Sequence, residues 1–360
     1  MQHKDWEETR NLSRSHSKNV SAVACQSILI ALTAAAFPCA SASAQPRGEM
    51  FAGKTISVVI GFDAGGSYDQ YGRLVAKHFG RHLPGTPAVV PANMPGVAGL
   101  RAAAYVYEVA ARDGTVLGMV AQTIALADKL GTPGIRYKAS EFNWIGRVTS
   151  SVEILISWHT SKVKSVADAK AISAPFAGTS PGAAAHDYPL VLNNVVGTKF
   201  KIIGGYQSAS PMMLAMERGE TEGAFTSWNT IKTARQEWLR NKTINIIVQF
   251  TEARHPDLPD VPNMVELGNS DEDKRILALY ASGAIVGRSL IAPPGVPQER
   301  VAALRAGFDA MLKDKEFLAE IDRTHAEFDP MPGTELQKLV AGFDNLPAAI
   351  IERARKVRVP

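Results

Sequence analysis

Residues 56–73, ISVVIGFDAGGSYDQYGR, constrain the chain more than any other stretch. Ile56, Val58, Val59 and Ile60 make a short β-branched run, the pattern of a strand buried on both faces in a parallel sheet. Gly65 and Gly66 break the run, and a helix is predicted to follow. Ser67 and Gln70 have the spacing of a capping box, and Tyr71, Leu74, Val75, Phe79 and Leu83 recur at helical intervals. Strand, glycine turn and helix N-terminus gather unpaired backbone N–H groups and the positive end of a helix dipole at one point. An anion fits such a point, although any α/β protein also needs glycines and caps at its turns.

The chain ahead of this stretch reads as a leader. A polar, basic start (Lys4, Arg10, Arg14, Lys18) gives way to an apolar run over 20–36, and Ala42-Ser43-Ala44 offers a small-residue cleavage site. Residues 1–44 are therefore predicted to be a secretory signal peptide. Asp5, Glu7 and Glu8 lengthen its polar start, which points to a translation start downstream of Met1. A retained membrane anchor is the competing reading, opposed by Gln26 and Pro38 within a short apolar run. Both cysteines, Cys25 and Cys39, lie in this leader, so the exported chain would carry no disulfide. Residues 45–360 are more than one core usually organises, which predicts two lobes. The formal charge of +4 is spread evenly, with no basic stripe interleaved with aromatics, so no nucleic-acid partner is expected.

Downstream, strands and helices alternate. A strand over 116–121 ends at Gln122-Thr123, at the carboxyl end of a predicted parallel strand, where open α/β sheets bind ligands; Thr123 as a plain helix cap is the alternative. Residues 172–176 lead into Gly178-Thr179-Ser180-Pro181-Gly182, which fits the G-x-S-x-G nucleophile elbow with Ser180 as nucleophile. Pro181 argues against a hydrolase, because the elbow's oxyanion hole needs the N–H of the residue after the serine and proline has none. The better reading is a second helix N-terminus, capped by Ser180 with Pro181 in its first turn. A strand over 200–205 ends at Tyr206, the methionines of 212–216 read as core filler, and a strand over 223–225 opens into Thr226-Ser227-Trp228-Asn229. Trp228 is a candidate ligand contact or plain packing. His78 and His82 stand four apart without the glutamate of a zinc protease, so no metal site is predicted. There is no phosphate loop and no G-x-G-x-x-G, and no cofactor is expected.

Several of these segments resemble the substrate-binding proteins of tripartite tricarboxylate transporters, the Bordetella uptake gene family. Gly65, Gly66 and Asp69 match its Gly-Gly-x-x-Asp loop, and residues 93–99 resemble its Asn-x-Pro-Gly-x-Gly-Gly loop, with Ala98 in place of one glycine and Arg101 following. Residues 165–168, the Gly178 to His186 segment, the proline-dense run 251–263 and residues 289–297 follow in the family's order. Tyr206-Gln207 replaces the family's Tyr-Lys, and Asp63 stands where the family usually has proline or another uncharged residue.

The resemblance implies a two-lobe α/β periplasmic binding protein of type II-like topology, each lobe a mainly parallel sheet flanked by helices, with two interlobe crossings. The boundaries expected are 45–156 and 250–360 for the first lobe and 157–249 for the second. It implies capture of a small organic carboxylate, delivery to membrane components of a secondary transporter, a periplasmic location and no catalysis; a monomer is expected. A receptor feeding a two-component kinase is the alternative, and a serine hydrolase using Ser180, with His186 as base, a remote one. The ligand is expected to meet Gly65, Gly66, Ser67 and Asp69 from the first loop and Thr179, Ser180 and Ala183 from the second. Phe62, Tyr68, Gln122, Thr123, Tyr206, Thr226 and Trp228 complete the candidate set. His186 reads as a structural hydrogen-bonder. If Asp63 faces the cleft it disfavours di- and tricarboxylates, and an aromatic or other monocarboxylate stacked near Phe62 or Tyr68 fits better.

Overall fold

The computed structural model describes residues 49–359; the leader, Cys25 and Cys39 lie outside the described residues. The chain first builds β1 (Thr55–Ile60), β2 (Ala88–Asn93), β3 (Val116–Met119) and β4 (Asn143–Thr149). It then builds β5 (Glu153–Trp158), β6 (Ala174–Ala177), β7 (Phe200–Ile203), β8 (Gly223–Ser227) and β9 (Ile244–Gln249), and returns with β10 (Arg288–Ala292) and β11 (Met331–Pro332). Two sheets result, in the orders β11-β4-β10-β3-β1-β2 and β7-β6-β8-β5-β9.

β1 behaves as its β-branched run predicts. Ile56, Val58 and Ile60 belong to a core shared with Tyr71, Val75 and Phe79 of the helix Ser67–Phe79, while Val59 faces the opposite core. Each such fully buried side chain contributes roughly 1.5–3 kcal/mol. The capping box does not form: Gly66 is the N-cap, no side chain caps the helix, and Ser67 is its first residue. Gln70 turns instead to Asn229, accepting its amide N–H at 3.0 Å across to the other lobe.

The sheets are mixed rather than mainly parallel. Parallel pairing is confined to β1 with β2 and β3, and to β6 with β7 and β8. The departure comes from the strand that follows each crossing and from the edge strand: β5 runs antiparallel to β8 and β9, β10 to β3 and β4, and β11 to β4.

All of β5 pairs within the second sheet, so that sheet begins at Glu153 and the first crossing falls at 150–152, not at 156–157. Nor does everything after residue 249 gather on the first sheet. The helix Ala348–Val357 packs against Ala184–Val196 of the second lobe and against Asp271–Ala281. Tyr280 donates to the Ala354 carbonyl at 2.7 Å, and the Asn194 side chain donates to the carbonyls of Val357 and Val359 at 2.9 Å each.

The two crossings run side by side. The Ser151 N–H donates to the Ala284 carbonyl at 2.9 Å, and Arg288 pairs with Thr149. Gly287 sits between them at φ +54°, where a Cβ would lie 2.1 Å from the Thr149 carbonyl oxygen. No helix among the described residues is long and apolar enough to cross a membrane.

Candidate functional site

A cleft of about 670 Å³, including its open mouth, lies between the two sheets. Phe62, Asp63, Gly66, Ser67, Tyr68, Ala121, Gln122, Thr123 and Arg288 line it from the first lobe. Thr179, residues 183–185, Ser208, Ala209, Met212, residues 225–227 and Thr230 line it from the second, with Glu153 at the join.

The first wall is held in shape by Asp69. Its carboxylate accepts the Gly65 N–H at 3.0 Å, Arg73 Nε at 2.9 Å and Asn93 Nδ2 at 2.9 Å. Burial raises the Asp69 pKa, and the bonds from Arg73, Gly65 and Asn93 outweigh it, so the carboxyl sits below its usual range. Asp69 therefore points away from the cleft rather than inward, and its bond withdraws the Gly65 amide from any ligand. Neither residue lines the cleft; together they fix the loop that presents Gly66 and Ser67.

Two residues that the sequence reading passed over dominate the join of the lobes. The Arg288 guanidinium donates to Ser67 Oγ at 3.0 Å, Ser151 Oγ at 2.6 Å, Gln122 Oε1 at 3.2 Å and Glu153 Oε1 at 3.1 Å. Arg288 is 2% exposed and Glu153 6%, so this is a desolvated ion pair. Tyr68 lies between two partners, stacked on Phe62 at 4.2 Å and covered by the Arg288 guanidinium at 4.0 Å. Both faces of Tyr68 are thus used, and its hydroxyl accepts the Gln122 N–H at 2.9 Å, so stacking of a ligand on Tyr68 is closed off. The available signal was a single charge opening each of two apolar strands, EILISW and RSLIA, because lone charges in buried strands demand partners.

The second wall differs from expectation in its start. Its helix runs Ala184–Val196 with Ala183 as N-cap, three residues later than a cap at Ser180 requires. Residues 180–183 form a turn instead, with the Ala183 N–H donating to the Ser180 carbonyl at 3.2 Å and the Gly182 N–H to Asp187 Oδ1 at 3.0 Å. Ser180 does not line the cleft, and the amides presented there are those of Ala184 and Ala185, in a first turn that has no helical acceptor. His186 Nδ1 lies 2.8 Å from Asp187 Oδ1, and among the described residues no hydrogen bond joins His186 to Ser180. Tyr206 packs against the core, and the Trp228 indole donates to Asp257 at 3.0 Å; neither lines the cleft. Met212 does line it, beyond its expected place in the core.

No family model and no curated protein matches the sequence. Solved structures do match it in shape. MatC from Rhodopseudomonas palustris with bound malate is 21% identical, with 85% of this chain and 99% of that one covered and a TM-score of 0.66. The periplasmic binding protein BugD is 20% identical over 84% and 97%, with a TM-score of 0.66. A Rhodopseudomonas palustris protein with adipate is 21% identical over 84% and 95%, with a TM-score of 0.63. The chain has the fold of these three proteins.

Within this fold, three threonines have unmet needs. The hydroxyls of Thr123, Thr179 and Thr226 are buried without any hydrogen-bond partner, and all three residues line the cleft. Thr123 precedes the helix Ile124–Lys129 but makes no cap bond, so the plain-cap reading fails. Buried hydroxyls normally find partners, and three orphans facing one space mark where a polar ligand supplies them. Thr226→Val should therefore be neutral or stabilising by up to about 1 kcal/mol in the free protein, because it removes an unsatisfied group. The same variant should bind ligand about tenfold more weakly, read by calorimetry beside thermal melts.

Away from the cleft, His78, Asp314 and Glu316 bring metal-capable atoms together. Arg81 is the cation there: its guanidinium bonds His78 Nδ1 at 2.6 Å and Asp314 at 3.0 Å, and also reaches Glu316. His78 Nε2 lies 2.6 Å from Glu320, so the histidine serves an ion-pair network.

Proposed function

We infer that the chain captures a small organic carboxylate in this cleft, outside the cytoplasm, and hands it to the membrane components of a tripartite tricarboxylate-type transporter. One observation carries the reading: three buried, unpartnered hydroxyls share a cleft with two helix N-termini that no side chain caps. Anions are stabilised at such termini by free amides and the helix dipole, and hydroxyls can donate to the same oxygens. Malate and adipate in two proteins of this shape support the ligand class. Of the predicted set, Phe62, Gly66, Ser67, Tyr68, Gln122, Thr123, Thr179, Ala183 and Thr226 remain the proposed contacts or their supports. Binding across both walls would favour a closed arrangement over an open one, with the paired crossings as the hinge, and the membrane partner would read that shape.

A thermal-shift screen of residues 45–360 against a carboxylate panel tests this. A ligand present at a hundred times its Kd should add about 2.7 kcal/mol to stability. A melting point that no carboxylate raises would end the reading.

A further inference from the structure

We propose that the cleft selects a monocarboxylate with an apolar body, and that Asp63 rejects a second carboxylate. The inference rests on the capture reading above and narrows it. Among the described residues lining the cleft, Arg288 is the one cation, and its nitrogens are committed to Ser67, Ser151, Gln122 and Glu153. Its charge is matched by Glu153, and its flat face lies on Tyr68. No guanidinium fork is left for a ligand oxygen.

The positive potential that remains comes from two helix N-termini, each worth roughly half an elementary charge. Together they balance about one carboxylate. The partnerless hydroxyls of Thr179 and Thr226, 5% and 1% exposed, add neutral donors without adding charge.

Any second carboxylate has nowhere favourable to go. Towards Met212, Ala209 and Phe225 it would be desolvated against apolar side chains, and near Asp63 it would meet a like charge. A hydrocarbon body meets neither cost, since the same apolar side chains and Phe62 cover it. The cleft is thus built for one charge and a greasy remainder, in contrast to the malate and adipate carried by proteins of the same shape.

Matched pairs decide it: hexanoate against adipate and butyrate against succinate, titrated calorimetrically into the purified chain and into Asp63→Asn. Each monocarboxylate should bind at least about tenfold tighter than its dicarboxylate. Asp63→Asn should improve dicarboxylate binding several-fold more than it improves monocarboxylate binding, so that the ratio within each pair narrows. A dicarboxylate that binds the unmodified chain as tightly as its partner, or a ratio that Asp63→Asn does not move, overturns the selection while leaving carboxylate capture standing. Binding by neither series overturns both.

Discussion

Arg288→Ala should cost the fold about 3–5 kcal/mol, the range for breaking a buried ion pair from one side. The side chain is the hub of the join: it reaches Ser67 and Gln122 in one lobe, Ser151 in the crossing and Glu153 at the start of the second sheet. Removing it strands the Glu153 carboxylate, 6% exposed, with Ser151 Oγ as its remaining donor at 2.6 Å. Urea midpoints measure the loss. The double replacement Arg288→Met with Glu153→Leu removes both charges, and should recover most of the stability because desolvation of each ion is avoided. A single-variant loss below about 1 kcal/mol would show that the pair is solvated in solution, contrary to its burial.

Gly287→Ala should be the most damaging loss of a glycine near the cleft, on the order of 3 kcal/mol, from positive-φ strain and overpacking together. At φ +54° and ψ −138° only glycine is comfortable. The added methyl would meet the Thr149 carbonyl oxygen at 2.1 Å and Ser150 Cα at 2.8 Å. Both are backbone atoms of the neighbouring crossing, so no flexible side chain can move aside. Ligand affinity should fall with stability, because the two crossings would be pushed apart at their point of contact. Differential scanning calorimetry checks the first effect and titration the second; a melting point within a degree of the unmodified chain would refute the packing described.

Local order was legible where a segment's role is decided by its own residues. The β1 run and the helical spacing from Tyr71 depend on short-range periodicity and burial, and both formed, although the α-helix stops at Phe79 and Leu83 lies beyond it in extended backbone. The glycine turn ahead of the helix was likewise visible in Gly65 and Gly66, although Asp69 takes the Gly65 amide. What stayed hidden depends on partners distant in sequence. Asp69 was read as a ligand contact because spacing alone does not say whether its carboxylate faces a ligand or turns to Gly65, Arg73 and Asn93, which together hold it. The Ser180 cap failed because Asp187 claims the Gly182 amide and holds 180–183 as a turn. Arg288 and Glu153 lie 135 positions apart, and only the insertion of β5 and β10 brings them together. Parallel order was overstated for the same reason, since strand direction after a crossing is not written in the strand.

The position of β10 also governs how the molecule can be made. It is an inner strand, lying between β3 and β4, yet it is synthesised after all five strands of the other sheet. Until residue 292 has emerged, the amino-terminal half of the chain holds β1 to β3 and β4 as fragments with an open slot between them. Pairing across so long a loop is slow, which predicts sluggish refolding from denaturant and a nascent chain that stays pliable almost to the end of translation.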